Sequence, residues 1–209
     1  MRMLCAWTNG EKAKVHLVEL PSKEQQILKV YKPGFTGVMF REYLATSYLS
    51  RRLSIVPKVI RFSPRRRELV MSYIPGQRVL EWVLQHFGEP NLKLEEFLNF
   101  EAMGTDPRIV EAFIRFRQST SKDASRLKEA IELSYTRLHG LGWQHGTCDP
   151  RNVIYDGQQV YIIDFDHARP SFTPTKYDYP SLTYWFGLVP ADRRGGRVSI
   201  ANPIGCGRN

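Results

Sequence analysis

His145-Gly-Thr-Cys-Asp149-Pro-Arg-Asn152-Val-Ile154, followed after a short gap by Val160-Tyr-Ile-Ile-Asp164-Phe-Asp166, is the stretch on which the reading of this chain turns. Two short apolar runs flank Asp156-Gly157, a dipeptide suited to a tight hairpin turn. Such a hairpin is short enough to bring Asn152, in a loop, beside Asp164, at a strand end. Both residues offer hard oxygen donors of the kind magnesium takes. Phosphoryl transfer asks little covalent help of a protein. It requires positive charge around a polyphosphate and oxygen ligands for a metal. Plainer uses also exist: Asp164 as a strand-end cap, Asn152 as a turn former and His145 as a brace for the loop backbone.

Working outward, the first third of the chain reads as strands with one helix. Val15–Leu20 alternates in part behind a turn signal at Asn9-Gly10. Gln26–Tyr31 is a cleaner strand, with Ile27, Lys29 and Tyr31 on one face and Leu28 and Val30 on the other. Lys29 shares a face with Ile27, so its ammonium needs a carboxylate nearby, and Glu42 is the candidate. Pro33-Gly34 ends the strand. Thr36 is placed to cap a helix in which Phe40, Tyr43, Leu44 and Tyr48 recur at helical spacing. Short strands follow around Val59–Phe62 and Glu68–Tyr73, and Pro75-Gly76 marks a break.

Beyond the break the pattern is mainly helical. Helices are expected over Val79–His86, over Pro107–Gln118 with Pro107 in the first turn after Asp106, and over Ser125–Leu141. In the last of these Leu127, Ile131, Ser134, Leu138 and Leu141 form one face. Gly88 to Asp106 reads as a connector with a short helix of its own, and the tail from Asp192 as loosely held.

Taken in this order, the residues resemble the protein-kinase-like superfamily over about 30–178. The resemblance implies an α+β, bilobal protein-kinase-like fold. Residues 1–74 would form a reduced β-rich N-lobe with one helix. Residues 75–209 would form a short, mainly helical C-lobe carrying the catalytic and metal-binding loops. By the same resemblance ATP and magnesium are the cofactors. Lys29 would contact the α- and β-phosphates and Glu42 would pair with it. Leu69-Val-Met71-Ser-Tyr73-Ile-Pro-Gly76 resembles the strand and hinge that hold the adenine, with Ile27, Ile154 and Ile163 supplying apolar surface around it. Asn152 and Asp164 would ligate magnesium, and Asp178 matches a buried aspartate that braces the catalytic loop.

Four departures from that pattern shape the functional expectation. Thr147 stands where the kinase loop carries its catalytic aspartate, and a threonine hydroxyl is no base. Asp149 lies two residues on. In a locally extended loop it would share the side of Thr147 at roughly 6–7 Å along the chain. Asp149 is therefore the expected relocated base, the other reading being that it caps the turn before Pro150. No glycine-rich lid precedes Lys29; Asn9-Gly10-Glu-Lys-Ala offers only Lys12 or Lys14 as substitutes. Asp166 replaces the usual glycine after Asp164-Phe, as a second metal carboxylate or as a structural one. Only 43 residues follow Asp166, which suits compact atypical kinases of small molecules or lipopolysaccharide. The expected activity is an ATP- and magnesium-dependent phosphotransferase acting on a hydroxyl of a small-molecule or protein acceptor. The alternative is a pseudokinase-like binding module.

Composition bounds the remaining classes. With 42% apolar and 24% charged residues in 209, the chain reads as globular and not disordered. No window of 18 apolar residues suggests a membrane span, and Met1–Asn9 is too short and too soon polar for a secretory signal. Cys5, Cys148 and Cys206 are few and far apart, which suits a reducing, cytoplasmic setting. The formal charge of +9 gathers at Arg51-Arg52, Arg61 with Arg65–Arg67, Arg115 with Arg117, and Arg193-Arg194 with Arg197. It reads either as a solvated basic face or as a surface for nucleic acid or an acidic partner.

Overall fold

A computed structural model describes residues 2–9, 11–89 and 106–189, and it is a mixed α+β structure. β1 (Arg2–Asn9), β2 (Ala13–Glu19), β3 (Gln25–Tyr31), β4 (Val59–Ser63) and β5 (Glu68–Ser72) form an antiparallel sheet in the order β1-β2-β3-β5-β4. Alternation along β3 separates two packing layers. Ile27 and Tyr31 pack with Met39, Leu69 and Met71, whereas Leu28 and Val30 pack with Val18 and Val70. Ile27 faces Met71 and Lys29 faces Leu69 across the β3–β5 pair.

α1 (Thr36–Ser50) follows β3 and corrects one expectation. Its buried face is Met39, Glu42, Ala45, Thr46 and Leu49. Phe40, Leu44 and Tyr48 are 40%, 61% and 39% exposed. The helix carries apolar residues on two sides, so periodicity alone could not choose between them. The aromatic stripe instead covers neighbouring surface: Tyr43 stacks on Phe62 at 4.0 Å and Tyr48 on Trp143 at 5.4 Å. Thr36 lies inside the first turn and Phe35 holds the cap position, with no side-chain cap bond.

The helical part comprises α2 (Val79–Phe87), α3 (Pro107–Gln118), α4 (Lys122–Gly140) and α5 (Pro174–Phe186). Asp106 caps α3 by accepting from Arg108 N at 2.9 Å, with Pro107 in the first turn. α4 starts three residues before the expected Ser125 because Ser121 accepts from Ala124 N at 3.3 Å. One core joins Leu80, Val83, Phe113, Phe116, Leu127, Ile131, Leu182 and Phe186, and it reaches into α1 through Ala45 and Leu49.

β6 (Gln77–Arg78), β8 (Val153–Tyr155) and β9 (Val160–Ile162) form a three-stranded sheet. β7 (Trp143–Gln144) pairs with β10 (Arg169–Pro170). The β8–β9 turn is tied by Asp156 Oδ1, which accepts from Gln158 N and Gln159 N at 2.8 Å each. β9 ends at Ile162, so Asp164 lies beyond the strand that was expected to end on it. Gly10, the connector residues 90–105 and the tail from Asp192 lie outside the described residues. Among the described residues no helix is long and apolar enough to cross a membrane.

Candidate functional site

Three elements meet at one ammonium. Lys29 Nζ on β3 lies 2.5 Å from Glu42 Oε1 on α1 and 2.6 Å from Asp164 Oδ1, just past β9. The Tyr31 hydroxyl donates to the other oxygen of Glu42. The side chains of Lys29 and Glu42 are 11% and 1% exposed, so the buried face of α1 carries a charge only because the strand supplies its partner. Burial alone would depress the Lys29 ammonium. The Asp164 and Glu42 carboxylates outweigh burial and hold it above its ordinary value. Burial raises Glu42, with Lys29 opposing. Burial also pushes on Asp164, but Lys29 overcomes it and holds this carboxyl below its usual range.

Asp164 adopts a left-handed backbone, φ 65° and ψ 64°. A non-glycine residue there is strained, and such strain concentrates where a side chain must be aimed. Here it turns the carboxylate from the end of β9 towards Lys29.

The 145–152 loop is held from below. The buried Asp178 on α5 accepts from His145 N at 2.7 Å and Gly146 N at 2.9 Å, and lies 2.9 Å from His139 Nε2. Burial would raise the Asp178 carboxyl, but His139 and the two backbone donors keep it below the ordinary aspartate value. His145 is fully buried, with Nδ1 2.7 Å from Thr147 O and Nε2 2.9 Å from Ile163 O. Ile163 N in turn donates to Asn152 O at 3.0 Å. These bonds fix the backbones of Asn152 and Asp164 as near neighbours.

The expectation of an extended loop between Thr147 and Asp149 is overturned. Asp149 N donates to Thr147 O at 2.8 Å, closing a three-residue turn that points Cys148 into the core. A one-turn 3-10 helix then runs Pro150–Asn152. Asp149 caps it: Oδ1 accepts from Arg151 N and Arg151 Nε, each at 2.8 Å, and Oδ2 accepts from Arg151 Nη2 at 2.5 Å. The carboxylate expected to serve as base is thus held by Arg151 and by backbone. The Thr147 hydroxyl is enclosed and has no hydrogen-bond partner among the described residues.

The apolar candidates fall into two groups. Ile27 and Met71 belong to the layer packed beneath the sheet with Met39 and Tyr31. Ile154 is buried on β8, close under the Pro75-Gly76 hinge. A Cβ at Gly76 (φ +145°) would sit 2.7 Å from Tyr155 O and 2.8 Å from Ile154 Cγ2, so only glycine permits this approach. Tyr73, just past β5, and Ile163 are half-buried.

Three cations enter in ways the sequence did not specify: Lys12, Arg41 and Arg78. Lys12 Nζ lies 2.6 Å from Asp166 Oδ2, and Arg41 donates to Asp166 O at 3.3 Å. Asp166 is therefore engaged as an ion-pair partner between the β2 end and α1. Burial depresses the guanidinium of Arg78, half-buried on β6, with Glu81 opposing and Arg151, Asp149 and Asp164 acting more weakly. Its one signal in the sequence was a charged residue two positions after the Pro75-Gly76 break.

The donor set suits the groups expected. Asp164 and Asn152 would supply two oxygen ligands to a magnesium ion, the small protein share of a site that phosphate and water complete. Lys29 would supply a fixed cation to a polyphosphate. The chain matches no family model and no curated protein.

Proposed function

We propose that the chain is a kinase-like, ATP- and magnesium-dependent phosphotransferase with slow turnover, acting on a hydroxyl of a small-molecule or protein acceptor. The observation that carries this reading is the Glu42–Lys29–Asp164 relay, with 2.5 Å and 2.6 Å contacts. It links strand, helix and metal-ligand loop at one cation, as in the bilobal kinase-like arrangement included in the proposal. In this reading Lys29 neutralises the α- and β-phosphates, and Glu42 with Tyr31 keeps its ammonium in place. Asn152 and Asp164 hold magnesium, which draws charge from the transferring phosphoryl group. Asp149 orients the acceptor hydroxyl only when Arg151 releases it, and this is why turnover is slow. The cytoplasm supplies both ATP and magnesium and is the compartment we assign.

Thermal unfolding with ATP, with magnesium and with both tests the site. A shift with both that exceeds the sum of the two alone requires a joint site on the native state. Transfer of labelled γ-phosphate to water or added hydroxyl compounds, lost in Asp164→Ala, tests the activity. The enclosed Thr147 hydroxyl and the Asp149–Arg151 pair favour a second reading, a nucleotide-binding module without transfer. A joint thermal shift with no turnover above that of Asp164→Ala would select it.

A further inference from the structure

The β1–β2 hairpin is tied to the loop after β9 by one side chain. Lys12, directly before β2, places Nζ 2.6 Å from Asp166 Oδ2 and 2.7 Å from His167 Nε2. The paired residues are 154 positions apart in the chain. Among the described residues, no other side chain of the hairpin forms a hydrogen bond or ion pair with that loop. The backbone at Lys12 is anchored to its own sheet, where Lys32 N donates to Lys12 O at 2.9 Å.

The tie is fixed at one end and free to leave at the other. Asp166 is the fixed end, with its side chain 8% exposed and its carbonyl accepting from Arg41 at 3.3 Å. The Lys12 side chain is 29% exposed. A buried carboxylate stripped of its counter-ion is strongly unfavourable, so Lys12 leaves Asp166 only against a replacement cation. His167 Nε2 is 3.7 Å from Asp166 Oδ1, too far to replace it with a hydrogen bond. The proposed magnesium ligand Asp164 lies two residues away, and the charge of Lys12 reaches it, helping to hold its carboxyl low. A metal ion on Asp164 is therefore near enough to take over the charge that Lys12 now balances.

We propose that the Lys12–Asp166 pair is a latch that holds the start of β2 down over the nucleotide site and opens by exchange when a metal–nucleotide enters. The inference rests on the phosphotransferase reading and adds a regulated step to it. Lys12 gives up Asp166 as the incoming cation arrives, and its freed ammonium has the polyphosphate as a new partner. The stretch before Lys29 has no glycine-rich backbone to close on phosphates, and a side-chain tether closes it instead.

Stopped-flow mixing of the full chain with a fluorescent ATP analogue and magnesium tests the gate. Loss of a positive charge by itself slows the approach of a polyanion, so acceleration is diagnostic of a latch. Association should be about fivefold faster in Lys12→Met than in wild type. It should be slow again in Lys12→Arg, which restores a cation opposite Asp166. Lys58→Met, which removes an exposed lysine just before β4, should not accelerate it. Hydrogen exchange without any ligand tests the tether separately: amides of residues 11–14 and 165–168 should exchange faster in Lys12→Met. Unchanged exchange overturns the latch, as does association that is unchanged or slower in Lys12→Met. Nucleotide bound at equal rates by wild type and Lys12→Met removes the gate and leaves the phosphotransferase reading standing. Nucleotide bound by neither removes both.

Discussion

Asp164 Oδ1 lies 2.6 Å from Lys29 Nζ, although 135 residues separate the two in the chain. Glu42 holds the same ammonium at 2.5 Å. One cation is therefore shared by two carboxylates from different elements, and each member sets the charge of the others. Replacing Lys29 by Met leaves Glu42 buried without its counter-ion. Urea unfolding should show a loss of about 3 kcal/mol, the scale for breaking a buried pair. The joint ATP–magnesium thermal shift should vanish with it.

Asp164→Asn separates metal from nucleotide. The amide keeps the shape but offers magnesium a weaker, neutral oxygen. ATP alone should still stabilise this variant, while the additional shift on adding magnesium should disappear. Retention of the full magnesium increment would remove Asp164 from the metal site.

The bidentate Asp149–Arg151 pair predicts a gain of activity on mutation. Arg151→Ala frees Oδ2 of the carboxylate, leaving Oδ1 on the backbone N–H alone, and should raise the rate of phosphoryl transfer, an increase that Asp149→Asn in the same background should reverse. Thr147→Asp places a carboxylate where the enclosed hydroxyl now lies. It should raise turnover by about 10²-fold, the lower end for a positioned general base. Single-turnover assays with labelled ATP read both effects.

Asp178 should confer a pH dependence on stability. Its folded carboxyl is held below the ordinary aspartate value of about 3.9. The unfolded state thus takes up protons first as the pH falls. The contribution of Asp178 is fully present above that ordinary value and is lost as pH drops through the lower folded one. Asp178→Ala should cost about 3–5 kcal/mol at neutral pH, because two loop N–H groups and His139 lose their buried acceptor. The gap between wild type and variant in chemical unfolding should narrow below about pH 4.

Gly146→Ala should destabilise by about 1–3 kcal/mol, since the position is left-handed and its Cβ would meet His167 O at 2.7 Å. Thermal unfolding of this variant measures the strain directly.

Much of the architecture was legible because local signals agreed. β3 alternates, Asp106-Pro107 caps α3, and Asp156 closes the β8–β9 turn, each from residues within a few positions of one another. The buried face of α1 was not legible, because Phe40, Leu44 and Tyr48 lie on one side and Met39, Ala45 and Leu49 on another. The helix instead buries Glu42, which only Lys29 and Tyr31 make tolerable. That choice depends on a strand partner, and periodicity within the helix carries no trace of it.

At the site, Lys29, Glu42, Asn152 and Asp164 were nominated by the resemblance of their order and spacing to the kinase-like pattern, with the chemistry of a cation, its carboxylate and two oxygen donors in support. The state of Asp149 could not be foreseen in the same way. Whether it faces an open cleft or its own Arg151 depends on a three-residue turn at Cys148, whose side chain is drawn into a core built from distant helices. The same holds for the pair that joins Lys12 to Asp166. Their meeting is set by how the sheet packs over the loop after β9, and long-range packing leaves no local pattern along the chain.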